Sequence, residues 1–115
     1  YKGIVVGTGN KVEDYGVGFY TKYGDGGVDI APIADLYKSE VWDLGKSLGI
    51  DSRIIEAKPT DGLWDDGRTD EDQLGATYSE LEEAMETGKG TGLKVLEQYG
   101  RMNAHKMNPI PTFTL

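Results

Sequence analysis

One short apolar run constrains this chain more than any other feature. Lys2-Gly3-Ile4-Val5-Val6 ends in β-branched residues and is bounded by Gly7, the pattern of a strand buried on both faces, as in a parallel sheet. A second, shorter candidate, Val28-Asp29-Ile30, alternates, and beyond it the apolar period turns helical. Strand, loop, strand, then helices is too few strands for a complete sheet. The expectation is an α/β fold represented by part of its sheet, with a mostly helical carboxy-terminal half. The first strand opens almost at Tyr1, with no initiator Met, so the sequence reads as part of a longer chain, residues 1–115 belonging to one domain.

Local signals place the remaining elements. Residues 12 to 19 are ambiguous and read as a short helical turn. Tyr23-Gly24-Asp25-Gly26-Gly27 is expected to turn with positive φ at its glycines. Ile33, Leu36, Tyr37, Val41, Leu44 and Leu48 recur at helical spacing, with Asp35 the expected cap and Gly49 the expected stop. This is the clearest amphipathic helix. Asp51 or Ser52 caps a brief helix through Ile55, ended by Pro59, and a loop runs from Pro59 to Arg68. Two short helices follow, opened by Thr69 with Asp72 and by a capping box of Ser79 with Glu82. After the break at Gly88 to Gly92, a last helix over about residues 91–105 carries Leu93, Leu96, Tyr99 and Met102 on one side, and Asn108-Pro109 ends it.

Composition excludes several function classes. A formal charge of -8 with scattered Lys and Arg argues against nucleic acid, since phosphate backbones are held by clustered cations. The absence of cysteine leaves no disulfide framework and no thiolate metal site, which suits a reducing compartment. No apolar run approaches the roughly 20 residues of a membrane span. A cytoplasmic protein is the default expectation.

Four clusters could carry chemistry. Gly7-Thr8-Gly9-Asn10 follows the first strand, where open α/β sheets gather ligands; Thr8 can donate, and Glu13, five residues on, can meet a magnesium ion shared with substrate phosphates. Thr21 to Asp29 packs Lys22, Tyr23, Asp25 and Asp29 around a glycine turn, otherwise a hairpin with polar flanks. Lys38 stands near a helix start, where dipole and ammonium both attract an anion. His105-Lys106 closes the final helix. The acidic run Asp65, Asp66, Asp70, Glu71, Asp72 lacks the spacing and glycine of an EF-hand and reads as a solvated loop with helix-start carboxylates.

Taken in order, these segments resemble the ammonia-handling NAD synthetase family. The resemblance rests on Gly7-Thr8-Gly9-Asn10-Lys11 with Glu13-Asp14, Phe19 to Gly27 with Asp29, Pro32 to Lys38, Lys58 to Trp64, Thr69 to Gly75, and His105-Lys106. It implies a Rossmann-like, adenine nucleotide α-hydrolase-like fold, a doubly wound parallel sheet that works as a homodimer. It also implies that a pyrophosphate loop and a further magnesium carboxylate lie upstream of Tyr1, so that this chain alone is inactive. The implied reaction is adenylation of deamido-NAD by ATP with release of pyrophosphate, followed by attack of ammonia to give NAD and AMP. By matching position, Thr8, Lys38 and Thr60 would serve ATP, and Glu13 would serve Mg2+. Lys22, Asp29, His105 and Lys106 would serve deamido-NAD, and Asp61 the loop that closes over the nucleotide. GMP or asparagine synthetases share the implied fold, and an acidic, noncatalytic binding module would show similar glycine turns. The Lys22 to Asp29 segment favours the NAD synthetase resemblance.

Overall fold

The computed structural model describes residues 2–115. They form a π-helix (Lys11–Val17) and five α-helices: α1 (Lys38–Ser47), α2 (Ser52–Ile55), α3 (Asp70–Leu74), α4 (Tyr78–Thr87) and α5 (Leu93–Met107). The core lies where the π-helix meets α4 and α5. Val12, Val17, Leu74, Ala76, Tyr78 and Leu81 are buried there, with Phe19, Met85, Leu96 and Tyr99 packed against them.

The ambiguous segment becomes a π-helix because both its ends are fixed. Asn10, fully buried, accepts from the Val12 and Glu13 amides at 3.0 and 3.1 Å, and Gly18 stops it at φ 67°. A side chain at Gly18 would meet Asn103 Cβ at 2.5 Å. The missing side chain therefore lets α5 approach, and Asn103 donates to the Val17 carbonyl at 2.8 Å.

The expected strands are reduced to one parallel bridge, Val6 to Ile30, among the described residues. Gly7 N–H donates to the Ile30 carbonyl at 2.7 Å and Asp29 N–H to the Val5 carbonyl at 2.9 Å. Each extended segment finds only the other. No layer covers their apolar side chains, so Ile4 and Val5 stay 64% and 56% exposed.

Other expectations shift for local reasons. The 23–27 segment turns, but Gly24, Gly26 and Gly27 are not among the positive-φ glycines. Glycine is needed at Gly26 for space, since a Cβ would fall 2.5 Å from the Tyr20 ring. The amide of Tyr37, not Asp35, opens α1 by donating to Glu40 at 2.8 Å, while Asp35 pairs with Lys11 at 3.1 Å. Gly49, Gly75 and Gly88 take left-handed φ where α1, α3 and α4 end. Asp51 caps α2 as expected, and Thr69 with Asp72 forms a true box on α3.

The α4 box is Thr77 with Glu80 rather than Ser79 with Glu82. Glu82 instead bonds the Ser39 amide at 3.0 Å and the Ser39 hydroxyl at 2.7 Å, capping α1 from the neighbouring helix. The apolar stripe of α1 has no buried member. On α5 the packed side runs through Val95, Leu96 and Tyr99, and Met102 lies off it, 61% exposed.

Replacing Thr77 by Ala should lower stability by about 1 kcal/mol, as loss of a cap does, whereas Ser79→Ala should change it by less than about 0.5 kcal/mol. Urea unfolding of the two variants measures the difference; equal losses would contradict the Thr77 assignment.

Candidate functional site

The capped π-helix sets Glu13 in its first turn, and a backbone bond from Lys11 N–H to the Leu36 carbonyl, 2.8 Å, brings the start of α1 beside it. Lys38, the first residue of α1, therefore reaches Glu13, with Nζ 2.7 Å from Oε1. Both side chains are about four-fifths covered, so water screens this pair less than an open surface pair. Tyr78 enters from the core. Its hydroxyl lies 2.8 Å from the same Glu13 oxygen and 2.9 Å from Asp70 Oδ2. The Lys38 ammonium stands 5.2 Å over the Tyr78 ring, and Trp42 meets that ring edge-on at 6.3 Å.

Lys38 and Tyr78 both address Glu13 Oε1; Oε2 has no hydrogen-bond partner among the described residues. Asp70 is 6% exposed, and its Oδ1 has no partner among them either. Burial pushes the Asp70 carboxyl up, the Tyr78 hydrogen bond opposing it. Asp14 is pushed up to about 6, chiefly by burial, with Glu13 and Asp25 adding like charge.

A hollow of about 290 Å³ opens here, walled by Thr8, Glu13, Lys38, Thr60 and Asp70. Phe19, Asp25 and Asp61 also line it and line a second hollow of about 520 Å³ that contains Lys106, so the two adjoin. Thr60 is fixed within its loop, donating to the Arg68 carbonyl at 3.2 Å and accepting from the Gly62 amide at 3.1 Å.

The structure thus brings Thr8, Glu13, Lys38 and Thr60 to one hollow. Lys22, His105 and Lys106 meet around the end of α5. Lys22 donates to the His105 and Asn108 carbonyls at 2.8 and 2.6 Å, and Lys106 to the carbonyls of Gly18 and Tyr20. Of these three only Lys106 lines the second hollow. Asp29 stands apart, its carboxylate taken by the Val5 amide at 2.7 Å.

Two buried members went unmarked in sequence. Asp70 belongs to the acidic run read as solvated; its position directly after the Thr69 cap was the available signal. Tyr78 carries none, because its partner Glu13 is 65 positions away.

Among the described residues no cluster of three or more acidic or histidine side chains could hold a metal by itself. The donors present are hard oxygens, with Glu13 Oε2 open. This fits a magnesium ion that takes one or two carboxylates and completes its shell with phosphate and water. The walls suit a phosphate-bearing ligand that arrives with a hard cation, the chemistry of a nucleotide-handling protein.

Comparison with known proteins narrows that class. The NAD synthase family profile matches residues 1–110, and the chain belongs to that family. It is 53% identical over 83 residues to the NH(3)-dependent NAD(+) synthetase of Methanococcoides burtonii, covering 72% of this chain and 31% of the relative. To that of Alkaliphilus oremlandii it is 46% identical over 112 residues, covering 95% and 44%. Among solved structures, NMN synthetase from Francisella tularensis superposes with a TM-score of 0.85 at 39% identity, over 100% of this chain and 48% of that one. The NH3-dependent NAD synthetase from Campylobacter jejuni, in complex with nitrate ion, gives 0.63 at 29% identity, over 96% and 45%. The chain spans less than half the length of each of these proteins. No described helix is long and apolar enough to cross a membrane.

The Asp14 carboxyl generates a pH prediction. Its folded-state pKa, about 6, lies above the ordinary 3.8, so the stability it contributes is complete below about 3.8 and is lost as pH rises through about 6. Urea midpoints should fall across that window in the parent and fall less in Asp14→Asn; parallel curves would mean that Asp14 titrates normally.

Proposed function

We propose that this chain is the carboxy-terminal part of a NAD synthetase domain, serving ATP-dependent amidation of deamido-NAD with ammonia. The supporting observation is that Thr8 with Glu13, Lys38 and Thr60, from three separate segments, line one hollow that adjoins another holding Lys106. In this reading the nicotinate carboxylate attacks the α-phosphorus of ATP, pyrophosphate leaves, and ammonia displaces AMP from the acyl adenylate to give NAD. Thr8 and Thr60 bind ATP, and Lys38 balances charge on the phosphate oxygens as pyrophosphate departs. Glu13 would hold Mg2+, which, when bound, would neutralise phosphoryl charge. Lys106 binds deamido-NAD in the adjoining hollow, with Lys22, Asp29 and His105 completing that side, and Asp61 joins the loop over the nucleotide.

The same reading assigns the Val6–Ile30 bridge to a larger doubly wound parallel sheet, the molecule to a homodimer and its setting to the cytoplasm. The parallel sense of the bridge supports the first, and the lack of cysteine agrees with the last. A second reading, amidation of the mononucleotide instead, is favoured by the higher TM-score to the structure named NMN synthetase, 0.85 against 0.63.

The test is a hybrid enzyme in which this sequence replaces the matching segment of the Alkaliphilus oremlandii relative. With ATP, Mg2+ and ammonia it should convert deamido-NAD to NAD, and Lys38→Met should lower kcat by about 100-fold or more, the loss typical when a charge-stabilising group is removed. Preference for nicotinate mononucleotide would install the second reading; no turnover of either substrate would remove both.

A further inference from the structure

Hydrogen-bond accounting around Tyr78 yields a role that neither the sequence clusters nor the relatives' names supply. The phenol carries one proton, yet two carboxyl oxygens, Glu13 Oε1 and Asp70 Oδ2, lie 2.8 and 2.9 Å from its oxygen. If both carboxyls were ionised, one of these contacts would set lone pair against lone pair. Glu13 is kept as the anion by the Lys38 ammonium at 2.7 Å. Asp70 is nine-tenths buried, faces no cation at hydrogen-bond distance, and leaves Oδ1 without a partner among the described residues. An unpaired carbonyl oxygen is a far smaller burial cost than an unpaired carboxylate charge. Asp70 is the carboxyl placed to carry the additional proton and to donate it to the Tyr78 oxygen, where an ionised Asp70 would instead accept from Tyr78; desolvation shifts it toward the protonated form.

We propose that Tyr78 is the positioning residue for Glu13: held from behind by Asp70, its hydroxyl gives its single proton to Glu13 Oε1 and leaves Oε2 as the oxygen available to a hard cation. The orientation runs Asp70 to Tyr78 to Glu13. Tyr78 is 2% exposed, shares the core cluster with Leu81 and Val12, and meets Trp42 edge-on, so the phenol is a fixed point against which the more exposed Glu13 is aimed. Ligands aimed by such outer partners commonly lose about 10- to 100-fold in metal affinity when the partner is removed. The inference rests on the reading above that Glu13 meets a divalent cation.

The experiment uses the hybrid enzyme with ATP and Mn2+ in place of Mg2+, following Mn2+ binding by electron paramagnetic resonance. Tyr78→Phe keeps the ring and should weaken Mn2+ binding by about tenfold. Asp70→Asn should stay within about twofold, because the amide N–H donates to the phenol as the protonated acid does. Parent-like Mn2+ affinity in Tyr78→Phe overturns the proposal, including where its melting temperature falls, since that pattern marks a purely structural residue. An Asp70→Asn loss as large as that of Tyr78→Phe also overturns it, because Asp70 would then act as a charged ligand. Turnover separates the two levels. Variants that split in Mn2+ affinity while the parent makes no NAD leave the positioning role standing and sink the reaction; NAD formation with unsplit affinities does the reverse.

Discussion

The buried ring of Tyr78 ties the core to the carboxylates of the hollow. The ring is a core residue, 2% exposed and packed with Val12 and Leu81, yet its hydroxyl ends at Glu13 and Asp70. Its amide is also spent usefully, donating to Glu71 at 2.9 Å and tying the start of α4 to α3. Because the π-helix rests on the same cluster through Val12 and Val17, the packing that stabilises the molecule is the packing that sets Glu13 in place. Core and hollow are one object, and a cavity opened beneath the ring would be felt at the carboxylate.

The location of α1 has a different basis. It buries no residue fully, and Leu44 and Leu48 stay 42% and 69% exposed, so its apolar anchoring is limited to partial contacts such as Tyr37 against the core and Trp42 against the Tyr78 ring. What holds its first turn is polar: Glu82 on the Ser39 amide, the Lys11 amide on the Leu36 carbonyl, and Glu13 on Lys38. Such ties are individually worth about 1 kcal/mol, and an element held this way opens more readily than the core beneath it. Lys38 therefore lines the hollow from an element held largely by polar ties, whereas Glu13 and Asp70 are backed by the buried Tyr78.

How much was legible in sequence follows from how local each signal is. Helix positions emerged well because apolar periodicity and glycine stops are local, as Gly49, Gly75 and Gly88 illustrate. Caps were displaced by two residues at α1 and α4, since several acceptors compete and the chain's entry angle decides: Glu82, offered as a box partner, went to another helix. The β-branched opening run, expected as a buried strand, makes one parallel bridge and stays largely exposed, because burial depends on partners that no local pattern encodes. Thr8 and Glu13 stand together by spacing, but Lys38 and Thr60 could be joined to them only through the family resemblance; no spacing rule reaches positions so far apart. Tyr78 was illegible, because a buried aromatic looks alike with or without a partner across the fold, and Asp70 offered only its place after the Thr69 cap.

The charge of the hollow shapes what it can accept. Glu13, Asp25, Asp61 and Asp70 all line it, against one ammonium, Lys38, which Glu13 already balances. A phosphate entering alone would meet like charge at short range in a partly desolvated space, where repulsion is strongest. Two responses relieve that. One is built in: burial shifts Asp70, on the wall of the hollow, toward its neutral form. The other can come with the ligand, since among the described residues no further cation lines the hollow. On the proposed reading, an acidic wall with Glu13 Oε2 unpartnered among the described residues favours phosphate that enters together with a divalent ion, and the net charge of -8 acts in the same direction at longer range.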